Sequence, residues 1–174
     1  MTASPAPDID WRRARIAFDF SGGSGWFALN AGDGALRLGW DDLAVTDAAE
    51  ELLDFLEEIA RWGAQAALEF KVDGDRGDWL VQTDPAPRGR MRLEVLDDGA
   101  VVGAATVRPL ALVRRLYAAW RVFIDRPLSG SRVDPEDLYA LRPSMVTLGG
   151  FRRPALDDLI RPADLARAER AAAS

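Results

Sequence analysis

Between residues 15 and 40 apolar and polar side chains alternate with a period of two. In RIAFDF (15–20) Ile16, Phe18 and Phe20 fall on one side and Arg15 and Asp19 on the other; WFALN (26–30) sets Phe27 with Leu29, and ALRLGW (35–40) aligns Leu36, Leu38 and Trp40. Such alternation predicts half-buried strands. SGGSG (21–25) and NAGDG (30–34) separate them, and their glycines supply the positive φ of hairpin turns, so three antiparallel strands follow. At DAAEELLDFLEEIARWG (47–63) the period lengthens to that of a helix. Leu52, Leu53, Leu56, Ile59 and Ala60 form its apolar stripe, Asp47 stands as N-cap with Glu50 in capping-box position, and Gly63 follows as a left-handed C-cap. The stripe calls for a sheet to cover.

Alternation returns in QAALEFKV (65–72), DWLVQT (78–83), MRLEVL (91–96) and AVVGAATVR (100–108), which predicts four further strands joined by Gly-containing turns. A second helix is expected from Pro109, a favoured first-turn residue, to about Asp125, ahead of Pro127. Val113, Leu116, Tyr117, Trp120 and Ile124 share one of its faces, and Arg114, Arg115 and Arg121 make it basic. From residue 128 prolines 135, 143, 154 and 162 interrupt the pattern, and Pro135, Pro154 and Pro162 are each placed to open a short helix. The expected class is α+β: an antiparallel sheet of about seven strands in the order three strands, helix, four strands, helix, with two amphipathic helices and a Pro-interrupted C-terminal extension. The expected partition is a flexible tail over 1–9, a single domain over 10–127 and a wrapping extension over 128–174 whose Leu and Phe side chains dock on the domain. No repeat of 20 to 50 residues is evident, which argues against a solenoid.

With 174 residues, 48% of them hydrophobic, the chain can bury a core without a metal or disulfide. It has no cysteine and no histidine. That removes thiol and Ser-His-Asp catalysis, thiolate zinc sites and histidine proton shuttles; only Asp, Glu, Tyr, Ser and the single lysine, Lys71, remain for acid–base or nucleophilic work. MTASPAPDID has neither the basic start nor the apolar core of a secretory signal, and no apolar run approaches the ~18 residues of a membrane span. A cytoplasmic protein without membrane contact is expected.

The net charge of −6 is unevenly spread. Residues 1–63 hold twelve acids against five arginines, residues 64–127 nine against ten bases, and residues 128–174 seven of each. A negative N-terminal third repels nucleic acid and attracts basic surfaces.

Three local patterns resemble chemistry without meeting its requirements. SGGSG lacks the Walker GK[ST] ending and leads into a strand, where a phosphate loop needs a helix N-terminus. DGDRGDW (73–79) reverses the EF-hand order at its fifth and sixth positions and lies between strands. Glu69-Phe70-Lys71 supplies the E-x-K half of a PD-(D/E)xK nuclease site on one strand face, yet Asp41 and Asp42 precede a helix where a neighbouring strand should carry the other half. In each case a turn or a polar sheet face accounts for the residues, and neither a catalytic set, a metal site nor a cofactor is expected.

The helix over 47–63 carries more information. Asp47, Glu50, Glu51, Asp54, Glu57 and Glu58 crowd its outer face with Arg61 as the sole cation. Neighbouring like charges cost a few tenths of a kcal/mol per pair. The positive helix end explains Asp47, Glu50 and Glu51 but not Glu57 and Glu58, near the negative end. Something must compensate, either the guanidiniums of Arg114, Arg115 and Arg121 or a basic partner. Trp62, off the apolar stripe, and Trp26, opposite Phe27 and Leu29, are the tryptophans expected to be exposed, and an exposed Trp beside acids fits a binding hot spot.

The LLDFLEEIA helix between Trp-containing meanders, with LYAAWRVFI after them, resembles the small α+β immunity proteins of bacterial polymorphic toxin systems over residues 15–127. That resemblance implies a non-catalytic cytoplasmic inhibitor that covers the basic surface of a toxin domain with carboxylates standing in for phosphates. Glu50, Asp54, Glu57, Glu58 and Trp62 are the contact candidates. Two readings compete: a metal-dependent nuclease or phosphodiesterase built on Glu69 and Lys71, and a self-associating protein in which the acidic helix of one copy meets the arginine helix of another.

Overall fold

The computed structural model describes residues 8–21, 24–31, 34–41, 45–63, 65–70, 79–125 and 151–173, with side chains described over 8–18, 50–63, 65–68, 80–125 and 151–173. The chain is α+β. Its elements run β1 (Arg15–Ser21), β2 (Ser24–Ala31), β3 (Gly34–Asp41), α1 (Val45–Trp62), β4 (Ala66–Phe70), β5 (Trp79–Ala86), β6 (Arg90–Asp97), β7 (Ala100–Val107) and α2 (Pro109–Asp125), then α3 (Pro154–Asp157) and α4 (Pro162–Ala172).

The expected single sheet does not form. The strands divide into a three-stranded antiparallel sheet, β1-β2-β3, and a four-stranded one, β4-β5-β6-β7. The reason lies in what β1 does with its apolar residues. Ile16 and Phe18 press onto α2, where Phe18 meets Trp120 edge to face at 5.5 Å, so the small sheet turns a face to the body of the molecule. One edge of the larger sheet is met by the segment before β1: Asp8 pairs in parallel with Ala104, and the Ile9 amide donates to the Ala104 carbonyl at 2.6 Å. Asp8 and Ile9 therefore belong to the fold, with Ile9 buried, and not to a loose tail.

The four-stranded sheet follows the period of two. Leu68, Val81, Leu93, Val95, Ala105 and Val107 are buried on its inner face, while Gln82, Arg92 and Glu94 form a hydrogen-bonded group on the outer one. Thr83 is the polar exception on the inner face: its hydroxyl accepts from the Ala66 amide at 3.0 Å and donates to the Ala66 carbonyl, which replaces the water it lost. Asp98 and Gly99, with φ of 47° and 76°, make the two-residue turn between β6 and β7.

Helix α1 buries Leu52, Leu53, Phe55, Leu56 and Ile59 against β4 and α2. It begins at Val45, so Asp47 stands in the first turn and not at the cap. Gly63, at φ 54°, closes it as expected, its amide donating to the Ile59 carbonyl at 2.9 Å.

Helix α2 is more enclosed than its pattern predicts: from Leu112 to Trp120 every residue except Arg114 is buried, because α1, β1, α3 and α4 all pack against it. Its polar side chains pin the segment from Phe151 to Ile160. Trp120 Nε1 donates to the Phe151 carbonyl at 3.0 Å, and Arg114 Nε to the Leu159 carbonyl at 2.8 Å. The Tyr117 hydroxyl accepts from the Arg153 amide at 3.0 Å and donates to Asp157 at 3.1 Å, and Arg121 also reaches Asp157. Pro154 and Pro162 open α3 and α4 at their first turns, and Leu156 and Ala168 join the core. Pro135 and the expected boundary near residue 128 lie outside the described residues.

Candidate functional site

Glu50, Glu51, Asp54, Glu58 and Trp62 line the exposed side of α1, recurring at helical spacing. Glu50, Glu51 and Glu58 have no ion-pair partner among the described residues. Glu57 differs. Its carboxylate lies 3.2 Å from Arg61 and 3.8 Å from Arg153, and it is only 20% exposed. Arg153 also approaches Asp54 at 3.7 Å, but the Asp54 carboxylate remains 76% exposed and available. Glu57 is thus held in internal pairing.

The source of that compensation is not the one the charge pattern pointed to. Arg114 and Arg115 donate to backbone carbonyls, and Arg121 is bound to Asp125 and Asp157. The guanidinium that reaches α1 is Arg153, carried by the C-terminal segment and held in place by the Tyr117 hydroxyl on its amide. A residue nearly a hundred positions from the acids gave no local signal of this.

At its C-terminal end the acid row meets an apolar corner. Trp62 is 75% exposed, and Leu110 at the start of α2 is 42% exposed. Their chain neighbours approach each other, since a Cβ on Gly63 would lie 3.7 Å from Pro109 Cγ. A large exposed aromatic beside a desolvatable Leu, rimmed by carboxylates, has the composition of a contact surface. The Trp26 side chain lies outside the described residues.

The E-x-K pair is divided by the same limit: Glu69 falls in β4, and Lys71 lies outside the described residues. Among the described residues no group of three or more carboxylates is placed to hold a metal ion, and no helix is long and apolar enough to cross a membrane. A second charged surface, of opposite sign, was hidden by summing charge over long stretches. Residues 12–15 read RRAR inside the acidic third of the chain, and they converge with Arg115, Arg167 and Arg170.

No family model matches the chain, and no curated protein or solved structure matches it either.

Proposed function

We propose that the chain is a non-catalytic protein-binding module whose α1 face takes a basic protein partner, in the manner of an immunity protein that covers a cationic toxin surface. The observation that carries this reading is Trp62, three-quarters exposed at the end of a row of carboxylates in which Glu50, Glu51 and Glu58 have no ion-pair partner among the described residues. Such a Trp supplies a large apolar area to a contact, and the row supplies steering charge. Relative to the pattern-based candidates, the contact set becomes Glu50, Glu51, Asp54, Glu58 and Trp62, with Leu110 beside them and Glu57 withdrawn.

Carboxylates spaced along a helix suit Lys and Arg side chains presented by a partner, and the association they steer is fast at low salt and slower as the Debye length shrinks. A partner isolated on the wild-type chain is to be titrated against Trp62→Ala and against Asp54→Lys with Glu58→Lys. Trp62→Ala weakens binding at least tenfold through the off-rate, in the range of an interfacial hot spot, and the double lysine variant slows association and flattens its salt dependence. A partner whose affinity ignores both variants, with their circular dichroism unchanged, would overturn the reading.

A further inference from the structure

The segment before β1, helix α2 and helix α4 enclose a cavity of about 510 Å³ at a corner of the fold distinct from the acid row. Among the described residues six arginines line it, Arg12, Arg13, Arg15, Arg115, Arg167 and Arg170, against one acid, Asp164. That acid is answered from outside: Arg161, which does not line the cavity, binds its carboxylate through Nε at 3.0 Å and through its backbone amide at 3.1 Å. Arg13 shares its charge with Asp10 at 3.6 Å. Arg12, Arg15 and Arg167 have no acidic partner among the described residues.

Arg115 is fixed more firmly than the rest. Its guanidinium donates to the Trp11 and Ala14 carbonyls and lies 4.9 Å over the Trp11 ring, so it braces the segment that carries Arg12, Arg13 and Arg15. Burial, and then the charge of Arg167, push its pKa down to about 10, and it remains a cation at neutral pH. A chain with six more acids than bases has ample carboxylate to pair its arginines, yet Arg12, Arg15 and Arg167 line one concavity without an acidic partner among the described residues. Mutual repulsion in such an array is relieved by an anion in its midst.

Guanidinium forks match the oxygens of phosphate two at a time, and a cavity of this size falls in the range that takes small ligands. Among the described residues the rest of the lining is small or aliphatic, Ala14, Ile16, Ala168, Ala171 and Ala173, and includes no aromatic ring on which a base would stack. Recognition therefore falls on charge. We propose that this cavity binds a small polyanion carrying several phosphate groups, held by Arg12, Arg15 and Arg167 over the fixed guanidinium of Arg115.

The test uses the full chain and inorganic tripolyphosphate, followed by calorimetry and by the thermal midpoint. Saturable binding to one site is expected at about 50 mM salt, and it weakens at least tenfold on raising the salt to about 300 mM, as screening of several ion pairs requires. Arg15→Glu with Arg167→Glu abolishes it, and Arg12→Gln with Arg167→Gln, which neutralises without reversing charge, weakens it about tenfold should the first variant fold poorly. Arg13→Ala has the smaller effect, because Asp10 already shares that charge. ATP binds no tighter than tripolyphosphate, and Glu58→Lys on α1 leaves both titrations unchanged, which separates this site from the protein contact proposed above. Absence of saturable binding, binding indifferent to the arginine variants, or displacement of tripolyphosphate by a short single-stranded oligonucleotide at lower concentration would overturn the proposal; the last would assign the surface to nucleic acid.

Discussion

Arg115 shows how one side chain ties distant parts of a chain together. It lies on α2, yet its hydrogen bonds end on the carbonyls of Trp11 and Ala14, about a hundred residues earlier. Replacing it by Met keeps most of the stem and leaves two carbonyls without their donor, so Arg115→Met is expected to cost about 2–4 kcal/mol, read as a lower urea midpoint with an unchanged slope. Tyr117→Phe is milder, about 1–2 kcal/mol, since the Arg153 amide loses its acceptor while Asp157 keeps Arg121. Both residues were legible as members of a helix. Their partners were not, because a guanidinium or a phenol leaves no trace in a sequence of which carbonyl it will find. Glu57 taught the same lesson from the other side: its spacing placed it with the free acids, and the return of Arg153 adds a second guanidinium to the one that Arg61 supplies from the same helix.

Elements were read most accurately where a single period and a single cap decided them. Helix α2 starts at Pro109 as predicted and is described to Asp125, and Gly63 takes the left-handed conformation that its place after α1 called for. Gly63→Ala is expected to cost about 1–2 kcal/mol from that φ alone, because the added methyl would find only ordinary contact with Pro109. Reading failed where an element's surroundings mattered more than its own pattern. Period two in β1 told which residues share a face, not that the face would meet α2 in a separate sheet. On α1 a stability test bears on function. Glu58→Lys places a cation in the last turn and removes a repulsion, so it is expected to stabilise the isolated protein by about 0.3–1 kcal/mol in thermal or urea unfolding while it weakens partner binding. A charge that destabilises its own helix and whose reversal harms only binding is one kept for contact.

At the scale of the whole molecule, the described residues include two regions of opposite sign: acids along α1 and arginines around the cavity beside α4. The composition gave the total and concealed the separation. The titration of stability follows from the folded carboxyls. Hydrogen bonds from Arg161 hold Asp164 below its ordinary value, and those from Arg92 and Gln82 do the same for Glu94. The folded state then binds fewer protons than the unfolded one in the carboxylate range, so stability is full above about pH 5 and falls as pH falls through the ordinary carboxylate values, by a few tenths to about 1 kcal/mol for each exposed pair. Asp164→Asn flattens part of that slope. Between pH 6 and 8 urea midpoints are expected to stay level, since the chain has no histidine to titrate there.

The bracing of α2 from both sides bears on how the protein is made. A nascent chain leaves the ribosome from its N-terminus, so the Trp11 and Ala14 carbonyls wait in water until Arg115 emerges. The indole of Trp120 and the phenol of Tyr117 in turn lack their cover until Phe151 to Asp157 follow. Packing around α2 can close only when synthesis is nearly complete, and a chain cut off after Asp125 would display an aromatic helix that a chaperone has reason to hold.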